Sequence, residues 1–221
     1  IAGQMGFPVG RINLLVKSAI LHDIGALKLQ QLLDAEDLDD GTKEVVKKNT
    51  QETLARYGDL DEEVPRLITQ MQELYTSESD AEIPAALKES VNANILYVAD
   101  AYDRMTAMKS FEEPTSEVKA VRELLADEER YNKKIVNALI HGISILYPGV
   151  CVELTNGEKG LVVTENEDNI FEPIVLDFRN NNLYDLSDPS VKQTVEIADV
   201  MKTMDNRIKL DKNLLEEYQA N

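Results

Sequence analysis

Histidine is scarce in this chain of 221 residues, which contains only His22 and His141. It contains a single cysteine, Cys151, and no tryptophan. One cysteine excludes an internal disulfide and fits a reducing cytoplasm. Cys151 lies in an alternating apolar stretch, which favours a buried strand position over a nucleophile. Two histidines also limit any metal centre that needs several imidazole ligands.

Cations and long apolar runs are also scarce. The chain has 23 lysines and arginines against 41 acidic residues, for a net charge of -18. Nucleic-acid binding and anionic membrane surfaces both need clustered cations, so this charge argues against either partner. No apolar run reaches the roughly 20 residues of a membrane span. We expect a soluble cytoplasmic protein without membrane contact through this segment.

The first two-thirds of the sequence has the periodicity of helices. The clearest is 62–75, where apolar residues recur at helical spacing: Val64, Leu67, Ile68, Met71 and Leu74. Helices are predicted over 13–22, 41–57, 62–75, 85–108, 116–126 and 132–146. Because the chain starts without a methionine and inside a helical pattern, we expect it to be part of a longer protein, truncated at its N-terminus.

The pattern changes to alternating strands at 147–149. Strands are predicted over 150–154, 160–164, 173–178 and 183–186, with turns at Asn156-Gly157 and 180–182. The predicted fold is therefore α+β. A helical domain over 1–147 precedes a small antiparallel, barrel-like β subdomain over 148–199. An acidic and helical tail is predicted over 200–221.

Three residues, at two places in the sequence, carry candidate chemistry. His22 and Asp23 follow a small apolar run and precede Ile24-Gly25, and Asp100 lies inside an apolar helix. Metal-assisted phosphodiester hydrolysis needs imidazoles and carboxylates that converge on one or two cations. An unpaired carboxylate in an apolar helix is costly, so Asp100 should meet a cation, an arginine or a helix end. For any one of these residues alone, a structural role is the better interpretation.

Three motifs occur in order, at 19–25, 94–106 and 145–163. Together they resemble the HD-GYP family of bacterial cyclic-diguanylate phosphodiesterases, within the HD superfamily of metal-dependent phosphohydrolases. The resemblance extends to about Asp199 and includes the small β-rich appendage of some members. It implies a helical HD-superfamily bundle, with His22 and Asp23 as the His-Asp metal ligands and Asp100 as the late ligand aspartate.

The sequence departs from the family pattern at most other ligand positions. Ala26 stands where the family has lysine, and Asn49 stands near an expected histidine. The family's His-His-Glu appears as Met71-Gln72-Glu73, and its glycine-rich loop has become 76–84, with only the proline left. A further ligand histidine would precede the first residue. His141 matches no ligand position and is interpreted as an ordinary helix histidine.

These departures predict a degenerate HD-GYP-like domain that is catalytically weak or inactive and serves as a regulatory or interaction output of a larger bacterial signalling protein. We expect no cofactor beyond one weakly held divalent ion (iron, manganese or zinc) at His22, Asp23 and Asp100. His22 should hydrogen-bond to a carboxylate. One alternative is a phosphohydrolase with a reduced metal site. Another is a non-hydrolysing cyclic-dinucleotide-binding module, with Arg104 and Lys109 near the phosphates. Expected partners are another signalling protein, a cyclic dinucleotide or a second copy.

Overall fold

A computed structural model describes residues 1–29, 40–76, 89–108 and 113–201, without the side chains of residues 40 and 76. The chain divides into two compact units. The first contains Ile1–Thr115 and Ala120–Gly142. The second contains Ser116–Lys119 and Ile143–Asn221, of which residues up to 201 are described.

The helices lie close to their predicted positions. They are α1 (Val9–Leu21), α2 (Asp40–Leu54), α3 (Glu63–Thr76), α4 (Val91–Thr106), α5 (Glu117–Ala126) and α6 (Lys133–Ile143), with a short 3-10 turn at Ala26–Lys28. Helix α1 starts four residues before the predicted 13. Helix α6 ends before the predicted 146, because Ser144 has a positive φ of 46°. The predicted start of α4 at 85–88 lies outside the described residues.

Helix α4 forms the centre of the first unit, which we call the helical unit. Its buried residues cover most of its circumference: Ala93, Asn94, Ile95, Leu96, Tyr97, Val98 and Ala101. Helices α1 and α3 pack against it, and α2 packs against α3. The apolar face predicted for α3 is buried. Each fully buried large apolar side chain stabilises the fold by about 1.5–3 kcal/mol. Asp100 therefore projects from a helix that tertiary packing holds in place.

The β residues form a five-stranded antiparallel sheet. Its strands are β1 (Cys151–Leu154), β2 (Lys159–Thr164), β3 (Ile174–Asp177), β4 (Leu183–Asp185) and β5 (Ile197–Val200), with a short helix α7 (Pro189–Lys192) before β5. The strand order is β4-β3-β2-β1-β5, and Cys151 pairs with Leu161 in the central hairpin. Cys151 does lie in a strand, as predicted, but is only half-buried.

The α+β class and the antiparallel β part are confirmed, but the barrel is wrong. Strands β4 and β5 lie at opposite edges, so the sheet is open. The prediction also missed β5, which extends to Val200 and so reaches the predicted start of the helical tail. Short edge strands of three or four residues explain both errors, because they carry little alternation and nothing local specifies their partner. Residues 202–221 of the predicted tail lie outside the described residues.

The predicted Asn156-Gly157 turn does join β1 to β2. The amide of Gly157 donates to the Leu154 carbonyl, and the amide of Leu154 donates to the Glu158 carbonyl. Only Gly157 has a positive φ, at 82°. The connection is therefore a three-residue loop that ends in a left-handed glycine rather than a two-residue turn. No helix within the described ranges is long and apolar enough to cross a membrane.

Candidate functional site

The turn that carries His22 and Asp23 is fixed by the close approach of Gly25 to α2. The Gly25 amide donates to Thr50 Oγ1 at 3.1 Å, and that hydroxyl donates to the Val46 carbonyl at 2.9 Å. A Cβ on Gly25 would lie 2.4 Å from the Thr50 nitrogen and 2.4 Å from the Val46 oxygen. Both are backbone atoms that cannot easily move. The glycine of the motif therefore has a packing reason that is independent of any metal.

His22 follows the last residue of α1 and faces two carboxylates. Its Nε2 lies 3.1 Å from Asp100 Oδ1 and 3.2 Å from Asp23 Oδ2. Its Nδ1 lies 2.7 Å from the Ala19 carbonyl oxygen. Because a carbonyl only accepts, Nδ1 must carry a proton, and Nε2 is the atom that meets the carboxylates. His22 thus makes the predicted carboxylate hydrogen bond with Asp100, and Asp23 lies within ion-pair distance of the same nitrogen.

The second oxygen of Asp100 is held by two further side chains. Tyr75 donates its hydroxyl to Asp100 Oδ2, and Arg104 Nε lies 3.3 Å from the same oxygen. The Arg104 guanidinium also stacks over the Tyr75 ring, 4.1 Å from its centroid. Arg104 lies four residues after Asp100 on α4, and residues at this separation are neighbours on the same face of a helix. Asp100 therefore has an arginine partner, which is one of the three partners expected for it, and an imidazole and a phenol as well.

Buried aromatic rings pack next to Tyr75. The rings of Tyr75 and Tyr97 meet edge to face at 4.6 Å, and those of Tyr97 and Tyr131 stack at 5.3 Å. Such aromatic pairs add about 0.5–1.5 kcal/mol beyond the area they bury. Sequence reasoning missed Tyr75. The sequence contains one hint of its role: Tyr75 closely follows Met71-Gln72-Glu73, the segment that stands where the family has His-His-Glu.

The charges of the cluster shift its protonation equilibria. Burial of the His22 ring favours the neutral form, but hydrogen bonds to Asp100 and Asp23 and the charges of both outweigh it, raising the pKa of His22 to about 10. Burial opposes ionisation of Asp100, yet His22, Arg104 and Tyr75 together lower the pKa of Asp100. Burial, then the Asp100 charge, raises the pKa of Tyr75. At neutral pH the cluster is an imidazolium between two carboxylates.

The cluster has a limited capacity for metal. His22, Asp23 and Asp100 each offer a ligand atom, all within 4.8 Å of one another, and no other such group of three occurs among the described residues. The hydrogen bond from Nδ1 to a backbone carbonyl is the usual support for a histidine that ligates through Nε2. Asp23 is 70% exposed, so one side is open to solvent. One ion fits this set if it displaces the Nε2 proton.

The other positions singled out in the sequence fall in different places. Met71 is part of the buried core, and Asn49 is half-buried on α2. The Gln72 amide reaches the His22 carbonyl oxygen at 3.5 Å. His141 is exposed on α6. Arg104 belongs to the cluster as the partner of Asp100, whereas Lys109 and the loop residues 77–84 lie outside the described residues.

Comparisons with protein-family models, with curated proteins and with solved structures find no match to this chain.

Proposed function

We propose that this chain is a degenerate HD-GYP-like domain, catalytically weak or inactive, that acts as a regulatory or interaction output within a larger bacterial signalling protein. The observation that carries the proposal is the enclosure of Asp100. One of its oxygens is paired with His22, and the other with Tyr75 and Arg104. The side chains of the cluster satisfy one another without any ligand, as in a structural ion-pair network.

The donor set does not fit the two- or three-metal centre that the resemblance implies. Such a centre needs several imidazoles and bridging carboxylates whose two oxygens are both available. The cluster supplies one imidazole, and Tyr75 and Arg104 take the second oxygen of Asp100. At the expected ligand positions, Met71 is buried in the core, and Gln72 offers only an amide. Amide oxygens and thioethers are poor substitutes for imidazole at a hydrolytic site.

A phosphohydrolase with a reduced site is the second candidate, and one observation favours it. Nε2 of His22, Oδ2 of Asp23 and Oδ1 of Asp100 converge, and Asp23 is exposed enough for a substrate to approach. A single iron, manganese or zinc ion held there would act as a Lewis acid. The cyclic-dinucleotide-binding alternative has weaker support, because Arg104 already pairs with Asp100 and so offers less charge to a phosphate.

We expect the purified protein to hold well under one equivalent of iron, manganese or zinc, and to show no cyclic-diguanylate hydrolysis above background with added manganese or iron. Elemental analysis and product chromatography measure the two. Two or more chelator-removable equivalents per chain would contradict the proposal. So would turnover by the unmodified chain that His22→Ala abolishes, which would instead support the reduced-site hydrolase.

Single restorations should not recover activity, because residues that act as a unit are strongly non-additive. Asn49→His alone still leaves Met71 and Gln72 in place of imidazoles. We therefore expect no turnover from Asn49→His, and at most a trace when Ala26→Lys, Met71→His and Gln72→His are added to it. Full activity from Asn49→His alone would show that the centre lacks a single ligand and is otherwise intact. The same chromatographic assay measures each variant.

A further inference from the structure

Helix α1 exposes an apolar face. Val9 is 72% exposed, Val16 is 49% exposed and Ile20 is 73% exposed, and Asn13 lies on the same side. On the opposite side, Leu15 and Ser18 are buried in the bundle. Contiguous apolar exposure on one helix face is typical of an interaction surface. We call Val9, Asn13, Val16 and Ile20 the α1 seam.

The spacing of the α1 seam identifies the kind of partner. Its residues are separated by four, three and four positions, the alternation of a coiled-coil seam. Gly10 and Lys17 flank it on one side, and Ile12 and Ala19 flank it on the other. A Cβ on Gly10 would meet nothing within 4 Å, so a second helix can approach closely at the small residues Gly10 and Ala19. Helix α1 has no acidic residue, although the whole chain carries -18 charges. Like-charge repulsion from carboxylates is thus absent along the seam.

We propose that the α1 seam binds the α1 seam of a second copy of this chain, with the two helices parallel. Asn13 argues for both points, because it is the only polar residue of the seam and corresponds to an a position. In a parallel pair of identical helices the two Asn13 amides face and hydrogen-bond to each other, which fixes register and two-stranded association. An antiparallel pair would place Asn13 against Val16 and leave a buried amide without a partner, which is unfavourable.

The length of the seam predicts the strength of the dimer. About two heptads bury less surface than the ~800 Å² per partner of a standard stable interface. We therefore expect a dissociation constant on the order of 10–100 μM. This inference concerns a different face from the His22 cluster, and it holds whether or not the cluster is catalytic.

Sedimentation velocity on the full chain from about 1 to 500 μM tests the dimer. We expect a monomer–dimer equilibrium that Val16→Lys weakens at least about tenfold, because a lysine would be buried in the seam. The matched control is Val45→Lys on α2, since Val45 is 47% exposed against 49% for Val16. It should leave the equilibrium unchanged. A monomer at every concentration, or equal loss with both variants, would overturn the proposal.

Cross-linking tests the orientation. In a Cys151→Ser background, Val16→Cys should form a disulfide-linked dimer under mild oxidation, because residues at one d position face each other across a parallel pair and Asn13 stays in place to fix the register. Adding Ile20→Lys should abolish that product. A dimer that cross-links only when Asn13→Cys and Val16→Cys chains are mixed would show an antiparallel pair and overturn the parallel arrangement.

Discussion

Replacing Gly25 with alanine is expected to destabilise the helical unit by about 2–4 kcal/mol. The φ of Gly25 is an ordinary -69°, so alanine is compatible with the backbone and the cost is steric. The added Cβ would lie 2.4 Å from two backbone atoms of α2 and from the Thr50 hydroxyl. The turn must then separate from α2 and weaken the Gly25–Thr50 hydrogen bond. Urea unfolding followed by helical circular dichroism measures the loss.

Gly58→Ala is the matched control for this prediction. Gly58 also follows α2, but nothing lies within 4 Å of its Cβ position. Alanine there should be neutral or stabilise by up to about 1 kcal/mol, by restricting the unfolded chain. If Gly25→Ala were as stable as Gly58→Ala, the close packing of the turn on α2 would be wrong. If the turn moves, His22 moves with it, so Gly25→Ala should also weaken the contact between His22 and Asp100.

Features encoded locally were predictable from the sequence. The apolar spacing of α3 identifies both the helix and its buried face, and Asn156-Gly157 marks a turn because glycine tolerates positive φ. The hairpin loop length was less accessible, because it depends on which backbone amides pair. The start of α1 was also missed. Helix α1 begins at Val9, which is the first residue of the α1 seam. The predicted helix began at 13 and therefore lacked the first residue of the seam.

The candidate site depended on information that no local pattern contains. His22 and Asp100 are 78 positions apart, and their pairing was anticipated through the family resemblance rather than through spacing. Tyr75 joins them only because α3 and α4 pack together, which its immediate neighbours do not indicate. The sequence predicted an arginine as one of three possible partners of Asp100. The structure has Arg104 in that role and adds two more donors, His22 and Tyr75. A tertiary cluster of this kind depends on which helices pack together. Sequence periodicity shows which face of a helix is buried, but not which helix covers that face.

The protonation of His22 provides the second large effect. We expect His22→Gln to destabilise the chelator-treated protein by roughly 2 kcal/mol at pH 7, because it removes the imidazolium between two carboxylates. Tyr75 and Arg104 still pair with Asp100 in the variant. The loss of stability should therefore be smaller than for a buried carboxylate that has no partner. Urea unfolding of both proteins measures the difference, with His141→Gln as the control for loss of a histidine elsewhere.

The pH dependence of that difference has a definite sign. The folded pKa of His22, about 10, lies above its ordinary value of 6.5. A raised pKa contributes stability that is fully present below pH 6.5 and declines as the pH rises through about 10. The advantage of the unmodified protein over His22→Gln should therefore be largest at pH 6 and nearly absent above pH 10. Proton NMR of the His141→Gln variant, whose only imidazole is His22, gives the pKa directly. A His22 midpoint at or below pH 6.5, or a stability difference that stays constant from pH 6 to 10, would show that the ion pair with Asp23 and Asp100 does not hold the ring protonated.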